Sequence, residues 1–374
     1  MDWLFKLRGD IPKQYRLILE ILGLGIFFLI WFFLTYGANP VVTKLTLPSP
    51  GEVFGSYGDM YRENEFVKNV FRSIGLNLGG YIKALLWTLP LGFLIGLFPI
   101  FRGMFRRTID AMRFVPLAAC IVIFIVWFGS STTMKVNFLA FGILIFLLPI
   151  VIYRIDEVKE VYLKTVYTIG ATNWQTIKSV YIPSVMSKLI DDIRILTAIS
   201  WTYIVVAESR NYEEGGLGAL ITVVRRQSQT EKLYGILIAF IIIGIIQDRI
   251  FVRLDRELFP HKYQIKDAKK HGQIQKVTML DTVLDFAFKA GVWSSLALYV
   301  VLALNEFLGF LGGVRILDYL FGDSGWAFHV LMISIIAYKI WKWYEKRSAY
   351  AASNPSSSTA DPAPNIDLTK DNNA

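Results

Sequence analysis

The segment 164–183, KTVYTIGATNWQTIKSVYIP, holds the residues whose types and spacing could do mechanical chemistry: Gly170, then Val180, Tyr181, Ile182 and Pro183 after a gap of nine residues. Glycine permits a tight turn or close approach that a Cβ would resist. Ala171 keeps the turn small, and Thr172 or Asn173 is placed to cap a short helix carrying Trp174. Pro183 lacks an N–H and is expected to mark a helical break before the next apolar run. A short helix so bounded can be gripped by a moving partner and tilt the elements attached to it; the bland alternative is an amphipathic connector. Covalent chemistry has less to stand on. His261, His271 and His329 are scattered, and Cys120, the single cysteine, reads as a small buried hydrophobe. No intrachain disulfide, Cys/His metal cluster or catalytic triad is expected. The sequence holds no G-x-x-x-x-G-K-[ST] phosphate loop, so it supplies no nucleotide site of that kind.

The elements that must position this segment are apolar. The chain of 374 residues is 54% hydrophobic and only 18% charged, against about 25% charged for a soluble domain. Eight candidate spans emerge at 17–36, 74–98, 114–128, 136–153, 189–207, 233–247, 282–304 and 326–343, the third and sixth being short against the ~20 residues a hydrocarbon core requires. The net charge of +9 is concentrated at the ends of these runs, the positive-inside pattern rather than a nucleic-acid-binding face. With the N-terminus in the cytoplasm, Arg102, Arg106, Arg107 and Arg113 fall inside, as do Arg154, Lys159, Lys164, Lys178 and Lys188. Both termini and the 164–183 segment are then cytoplasmic. Outside, residues 41–72 read as an extended Pro48–Pro50 stretch leading into an amphipathic helix from Glu52. The segment 251–279 reads as interfacial, and the Ser/Pro/Asn-rich tail from 348 as disordered. The first run, 17–36, is too long for a signal-peptide core and is expected to be retained. Trp31, Tyr36, Trp341 and Trp343 are expected as interface anchors.

The spacing of 164–183 resembles the EAA-x3-G-x9-I-x-L-P loop of ABC importer permeases. Further matches place the chain nearest their nitrate/sulfonate/taurine group. Leu47-Pro48-Ser49-Pro50 is similar to the group's outer L-P-S-P, and Arg113-Phe114-Val115-Pro116 followed by Trp127-Phe128-Gly129 to its R-x-x-P…W-F-G. Trp201 with Ala207-Glu208 looks like its A-W…A-E, and Gly216-Leu217-Gly218 with Ile221 its G-L-G-x-x-I. Asp191-Asp192-Ile193-Arg194 stands where the group has G-L-R, and Asp248…Leu254-Asp255-Arg256…Pro260 resembles its closing motif. The matches run in order over roughly 45–262. Three departures stand out: Lys164-Thr165-Val166 replaces Glu-Ala-Ala, a third-span proline is missing near Val122, and two extra runs follow residue 280.

The resemblance implies an all-α, polytopic inner-membrane permease of about eight transmembrane helices, a type I importer core with an added C-terminal hairpin. Its parts would be a first segment and accessory helix (1–44), a permease core (45–264) with a cytoplasmic coupling loop (154–188), a connector plus hairpin (265–347), and a tail (348–374). It further implies two permease subunits, alike or different, two separate ATPase subunits holding ATP and Mg2+, and an extracytoplasmic solute-binding protein, with no cofactor or metal on this chain. Gly170, Ala171, Thr172, Asn173, Trp174, Val180, Ile182 and Pro183 would meet the ATPase. The cargo would be a small anionic or vitamin-precursor-like solute.

Polar groups inside spans are costly and face a cavity or a partner helix. Asn77, Lys83, Asn137, Ser200, Thr202 and Glu208 qualify, and Asn77, Lys83, Ser200, Trp201 and Glu208 are the translocation-path candidates. Their bland reading is interhelical hydrogen bonding for Asn77, Ser200 and Thr202, snorkelling for Lys83, helix packing for Trp201 and a structural role for Glu208. An ion-coupled secondary transporter would require more ionisable groups within the spans and a matched pair of broken helices. A membrane enzyme would require a catalytic constellation, and none is seen. A non-transporting scaffold fits the departure from Glu-Ala-Ala but not the presence of Gly170 and Pro183.

Overall fold

The computed structural model describes residues 13–37, 40–260, 262, 279–309 and 315–353. The expectations for the connector at 263–278 and the tail beyond 353 lie outside these residues. All described regular structure is helical. In chain order the helices are α1 (Lys13–Thr35), α2 (Pro50–Glu63), α3 (Phe66–Leu97), α4 (Pro99–Met112), α5 (Leu117–Phe128), α6 (Thr132–Asp156), α7 (Glu160–Thr168) and α8 (Asn173–Thr176). They continue with α9 (Ile182–Glu208), α10 (Leu217–Arg226), α11 (Thr230–Leu258), α12 (Met279–Leu308), α13 (Ile316–Phe321) and α14 (Gly325–Ser353).

The centre of the molecule is the packing of α3, α6 and α9. Tyr81 and Ala84 of α3, Ile143, Leu147 and Val151 of α6, and Val185, Leu189 and Ile193 of α9 form one buried cluster. The α3–α6 seam closes because α3 puts glycine where the helices touch. A Cβ at Gly80 would lie 2.7 Å from Leu139 Cβ, and one at Gly92 2.5 Å from Val151 Cγ1. In lipid, where apolar surface alone does not drive helices together, such close backbone approach is a main source of association. Pro90 and Pro149 sit inside α3 and α6 without ending them, as membrane helices allow.

Five helical stretches among the described residues are long and apolar enough to cross a bilayer: Ile18–Thr35, Phe66–Leu97, Thr132–Asp156, Thr230–Leu258 and Ile316–Glu345. The run 114–128 is a different object from the span expected. Its helix, α5, has 12 residues, about 18 Å at 1.5 Å per residue, and it meets the length test only jointly with α4, to which it is bent by 106°. The run 189–207 belongs to α9, whose 27 residues are ample in length but include Lys188, Asp191, Asp192 and Arg194. The run 233–247 is not short: α11 continues to Leu258, so 251–258 prolong a helix rather than begin an interfacial segment. Four helices were not anticipated at all: α4, α7, α10 and α13.

At the ends of the bundle, α2 starts where the Pro-Ser-Pro stretch predicts. Ser49 caps it, receiving the Glu52 N–H, while Glu52 reaches back to the Ser49 N–H. The helix α1 lies apart, tied through a Trp31 Nε1–H bond of 2.9 Å to the Pro48 carbonyl, with Leu22, Phe27 and Phe33 exposed. The added hairpin attaches through α13 and the 3-10 turn Gly322–Ser324: Phe321 packs edge-on to Phe71 of α3, and a Cβ at Gly75 would sit 2.5 Å from Ser324 Oγ.

Candidate functional site

The segment 159–183 forms a protruding helix–turn–helix. At the end of α7, the Gly170 N–H bonds the Tyr167 carbonyl (3.0 Å) and the Ala171 N–H bonds the Val166 carbonyl (3.1 Å). This paired closure is a Schellman motif with glycine at the left-handed position, and Gly170 has φ +79°. A Cβ there would meet nothing within 4 Å, so backbone conformation, not space, makes glycine the fit. Thr172 then opens α8 with a full capping box: its Oγ1 accepts the Gln175 N–H, and Gln175 Oε1 accepts the Thr172 N–H at 2.8 Å. The expected cap is therefore Thr172 and not Asn173.

Pro183 does not break the helix. The chain passes from α8 through a π-helical stretch, Ile177–Tyr181, directly into α9, with Pro183 in its first turn. The wide turn bonds the Ile182 N–H to the Ile177 carbonyl, giving the ring room that a regular i−4 ladder denies. Tilting α8 therefore moves α9 through continuous helix. Val180 is buried, whereas Ile169 is 79% exposed, Trp174 70% and Val161 67%. Val161, Ile169 and Trp174 thus leave an exposed apolar surface on a polar protrusion.

The loop stands on an ionic base. Arg154, near the end of α6, binds Asp192 of α9 bidentately (Nε to Oδ2 2.7 Å, Nη2 to Oδ1 2.8 Å) and Glu157 through Nη1 (2.7 Å). Lys188 also holds Glu157, at 2.9 Å. Lys188 and Arg154 together pull the Glu157 carboxyl down to about 2. Further along α9, Arg194 pairs with Asp248 of α11, and Lys262 with Asp255 at 2.9 Å and Asp191 at 3.0 Å. The Asp-Asp-Ile-Arg and closing Asp motifs are thus halves of ion pairs that fix α9 against α6 and α11. The sequence shows the motifs but not the pairing.

The polar residues within the bundle are mostly satisfied by one another. Asn77 Nδ2 donates to Ser200 Oγ at 3.0 Å, the interhelical bond expected. Thr202 differs: it is exposed and donates to the Ile199 carbonyl of its own helix. Lys83 does not snorkel but bonds Asn137 Oδ1 across the α3–α6 seam. Trp201 is buried, its Nε1–H on Gln247 Oε1 at 2.9 Å and its ring edge-on to Phe240. Glu208 is fully buried and ties three elements: Ser73 donates to Oε1 and the Gly218 N–H to Oε2, each at 2.7 Å. Ser73 Oγ in turn accepts the Leu217 N–H at 2.8 Å, so Glu208 and Ser73 hold the start of α10. Sequence reasoning missed Lys135, which is buried at the first turn of α6 against Glu214 at 2.7 Å and the Asn211 carbonyl at 3.2 Å. A lysine beside Met134 and Val136 was the available signal.

Comparison with known proteins accords with this geometry. Residues 88–260 match the family model "Binding-protein-dependent transport system inner membrane component". An aliphatic sulfonates transport permease protein of Bacillus subtilis is 26% identical over 66% of this chain and 88% of its own. The taurine transport system permease protein of Escherichia coli is 22% identical over 72% of this chain and 96% of its own. A solved amino acid ABC transporter aligns with 59% of this chain and 99% of its own at 17% identity and a TM-score of 0.41. Through residues 88–260, which contain the protruding loop and its ionic base, the chain is similar to the binding-protein-dependent transport system inner membrane components, and its relatives are ABC transporter permeases.

Proposed function

We propose that this chain forms one membrane half of an importer whose ATPase grips the loop 160–183 from the cytoplasm. The observation that carries the reading is the loop itself: a Schellman turn at Gly170, a capping box at Thr172 and an exposed Trp174, joined without a break to α9. Rigidity at the tip and continuity into the bundle are what a transmission element requires. ATP and Mg2+ reside on the partner, whose binding favours one packing of the permease halves over another. Both termini lie in the cytoplasm, and a solute-binding protein delivers cargo at the opposite end. A second permease subunit covers α5, whose Val126 and Trp127 are 77% and 67% exposed on a helix too short to face lipid alone. The stretch 265–347, a connector plus a hairpin, is accessory to the core 45–264.

The cargo is a small anionic or vitamin-precursor-like solute, the anionic part of the reading being supported by relatives named for aliphatic sulfonates and taurine. Asn77, Lys83, Ser200, Trp201 and Glu208 act on the path indirectly, by holding the helix packing that must rearrange as it opens. The test is uptake in cells lacking the chain, complemented by wild type or Trp174→Asp. Uptake is expected to return only with wild type; equal uptake with both would remove the loop from the mechanism.

A further inference from the structure

Beneath the loop, between α7 and the α8–α9 junction, lies a cavity of about 530 Å3. Its wall carries Arg154, Lys159 and Lys188 with one carboxylate, Glu157. Asp192 stands behind it, bound to Arg154, so the site keeps a surplus positive charge. The cations are not equivalent. Arg154 and Lys188 are held by carboxylates, whereas Lys159 is exposed and has no ion-pair partner among the described residues. Lys159 is also the N-cap of α7 and supplies no side-chain acceptor to its first turn, where the Tyr162 N–H bonds the Lys159 carbonyl and the Glu160 carboxylate pairs with Lys164. Tyr162 and Ser184 add hydroxyls to the wall.

We propose that this cavity binds a phosphate-type oxyanion, carried by an anionic phospholipid headgroup or free in solution, and that its occupant braces the loop against the bundle. The position suits either source. Arg154 and Lys188 flank the apolar stretches of α6 and α9, at the height where a bilayer changes from hydrocarbon to headgroup, and basic pockets at such a level bind anionic headgroups. An occupant touching Lys159 of α7 and Lys188 of α9 bridges the two limbs of the loop. Its placement on the cytoplasmic side rests on the orientation proposed above; the binding itself needs only the chain.

The test is made on the purified full-length chain without ATPase, so that its failure is separable from failure of the coupling proposal. Native mass spectrometry counts phosphatidylglycerol against phosphatidylcholine retained from mixed micelles. Calorimetry with inorganic phosphate and with glycerol 3-phosphate examines the free anion. Each basic residue at such a surface is worth about five-fold in affinity, so Lys159→Gln with Lys188→Gln should weaken binding by about twenty-five-fold. Lys159→Gln alone, at an exposed unpaired position, should weaken it about five-fold and guards against misfolding of the double variant. Preferential retention of phosphatidylglycerol, lost in the variants, identifies a lipid headgroup. Phosphate binding lost in the variants, without lipid preference, identifies a free anion. No binding by wild type, or binding unchanged in both variants, overturns the proposal.

Discussion

Gly170→Ala is the most discriminating single change in the loop, because the structure separates conformation from space. Nothing lies within 4 Å of a Cβ built at Gly170, yet its φ is +79°. A steric argument therefore predicts no effect, whereas a backbone argument predicts a cost of roughly 1–2 kcal/mol, the penalty of left-handed geometry for a residue with a Cβ. If the ATPase engages only the closed turn, that cost weakens engagement by up to about five- to thirty-fold, since 1.4 kcal/mol is about tenfold. Asparagine visits the left-handed region more readily than alanine, so Gly170→Asn should recover part of the loss. The assay is the amount of ATPase retained per chain, and its hydrolysis rate, for all three proteins purified in one detergent. The expected order is Gly, then Asn, then Ala, with helix content unchanged. Alanine equal to glycine, or asparagine below alanine, would refute the claim that the turn's geometry is what the partner reads.

Three further outcomes are expected. Glu208→Ala strands the Ser73 hydroxyl and the Gly218 N–H in a dry site, a loss of about 2–6 kcal/mol for two buried donors left without an acceptor. Thermal unfolding in detergent checks it, and a melting temperature like wild type would show that the clamp bears no load. Gly92→Leu forces side-chain atoms into Val151, already 2.5 Å from a bare Cβ, and should loosen the α3–α6 seam by about 1–3 kcal/mol or more; an unshifted unfolding curve would place the seam's stability elsewhere. The Glu157 carboxyl, held at about 2 against its ordinary 4.5, contributes stability that is fully present above about 4.5 and is lost as pH falls toward 2. The difference between wild type and Glu157→Gln should stay constant from pH 8 to 5 and shrink below that. A difference that changes across pH 5–8 would contradict the ionic base.

The sequence makes the helical class and the loop legible because their signals are local. A glycine ten residues ahead of Val180, a threonine three before Gln175 and long apolar runs each act within a few turns of chain. Pro183 misleads for a physical reason: its usual effect is cancelled by a π-stretch five residues long, which no local propensity announces. The short helices α4 and α10 are amphipathic and lie between apolar runs, so their charged residues read as loop. Partnerships are the least legible part. Arg154 with Asp192 spans 38 positions and Ser73 with Glu208 spans 135; only packing brings them together. The same holds for Lys83, whose partner Asn137 cancels the need to snorkel.

The central claim is that this chain is driven by a separate ATPase through the loop 160–183. The most direct test is gentle purification of the tagged chain, wild type and Trp174→Asp, with identification of every co-purifying subunit and measurement of ATP hydrolysis. A phosphate-loop ATPase is expected with the wild type and is lost with the variant, while both chains keep the same helix content. Absence of an ATPase from the wild type in several detergents, or equal retention by the variant, would contradict it.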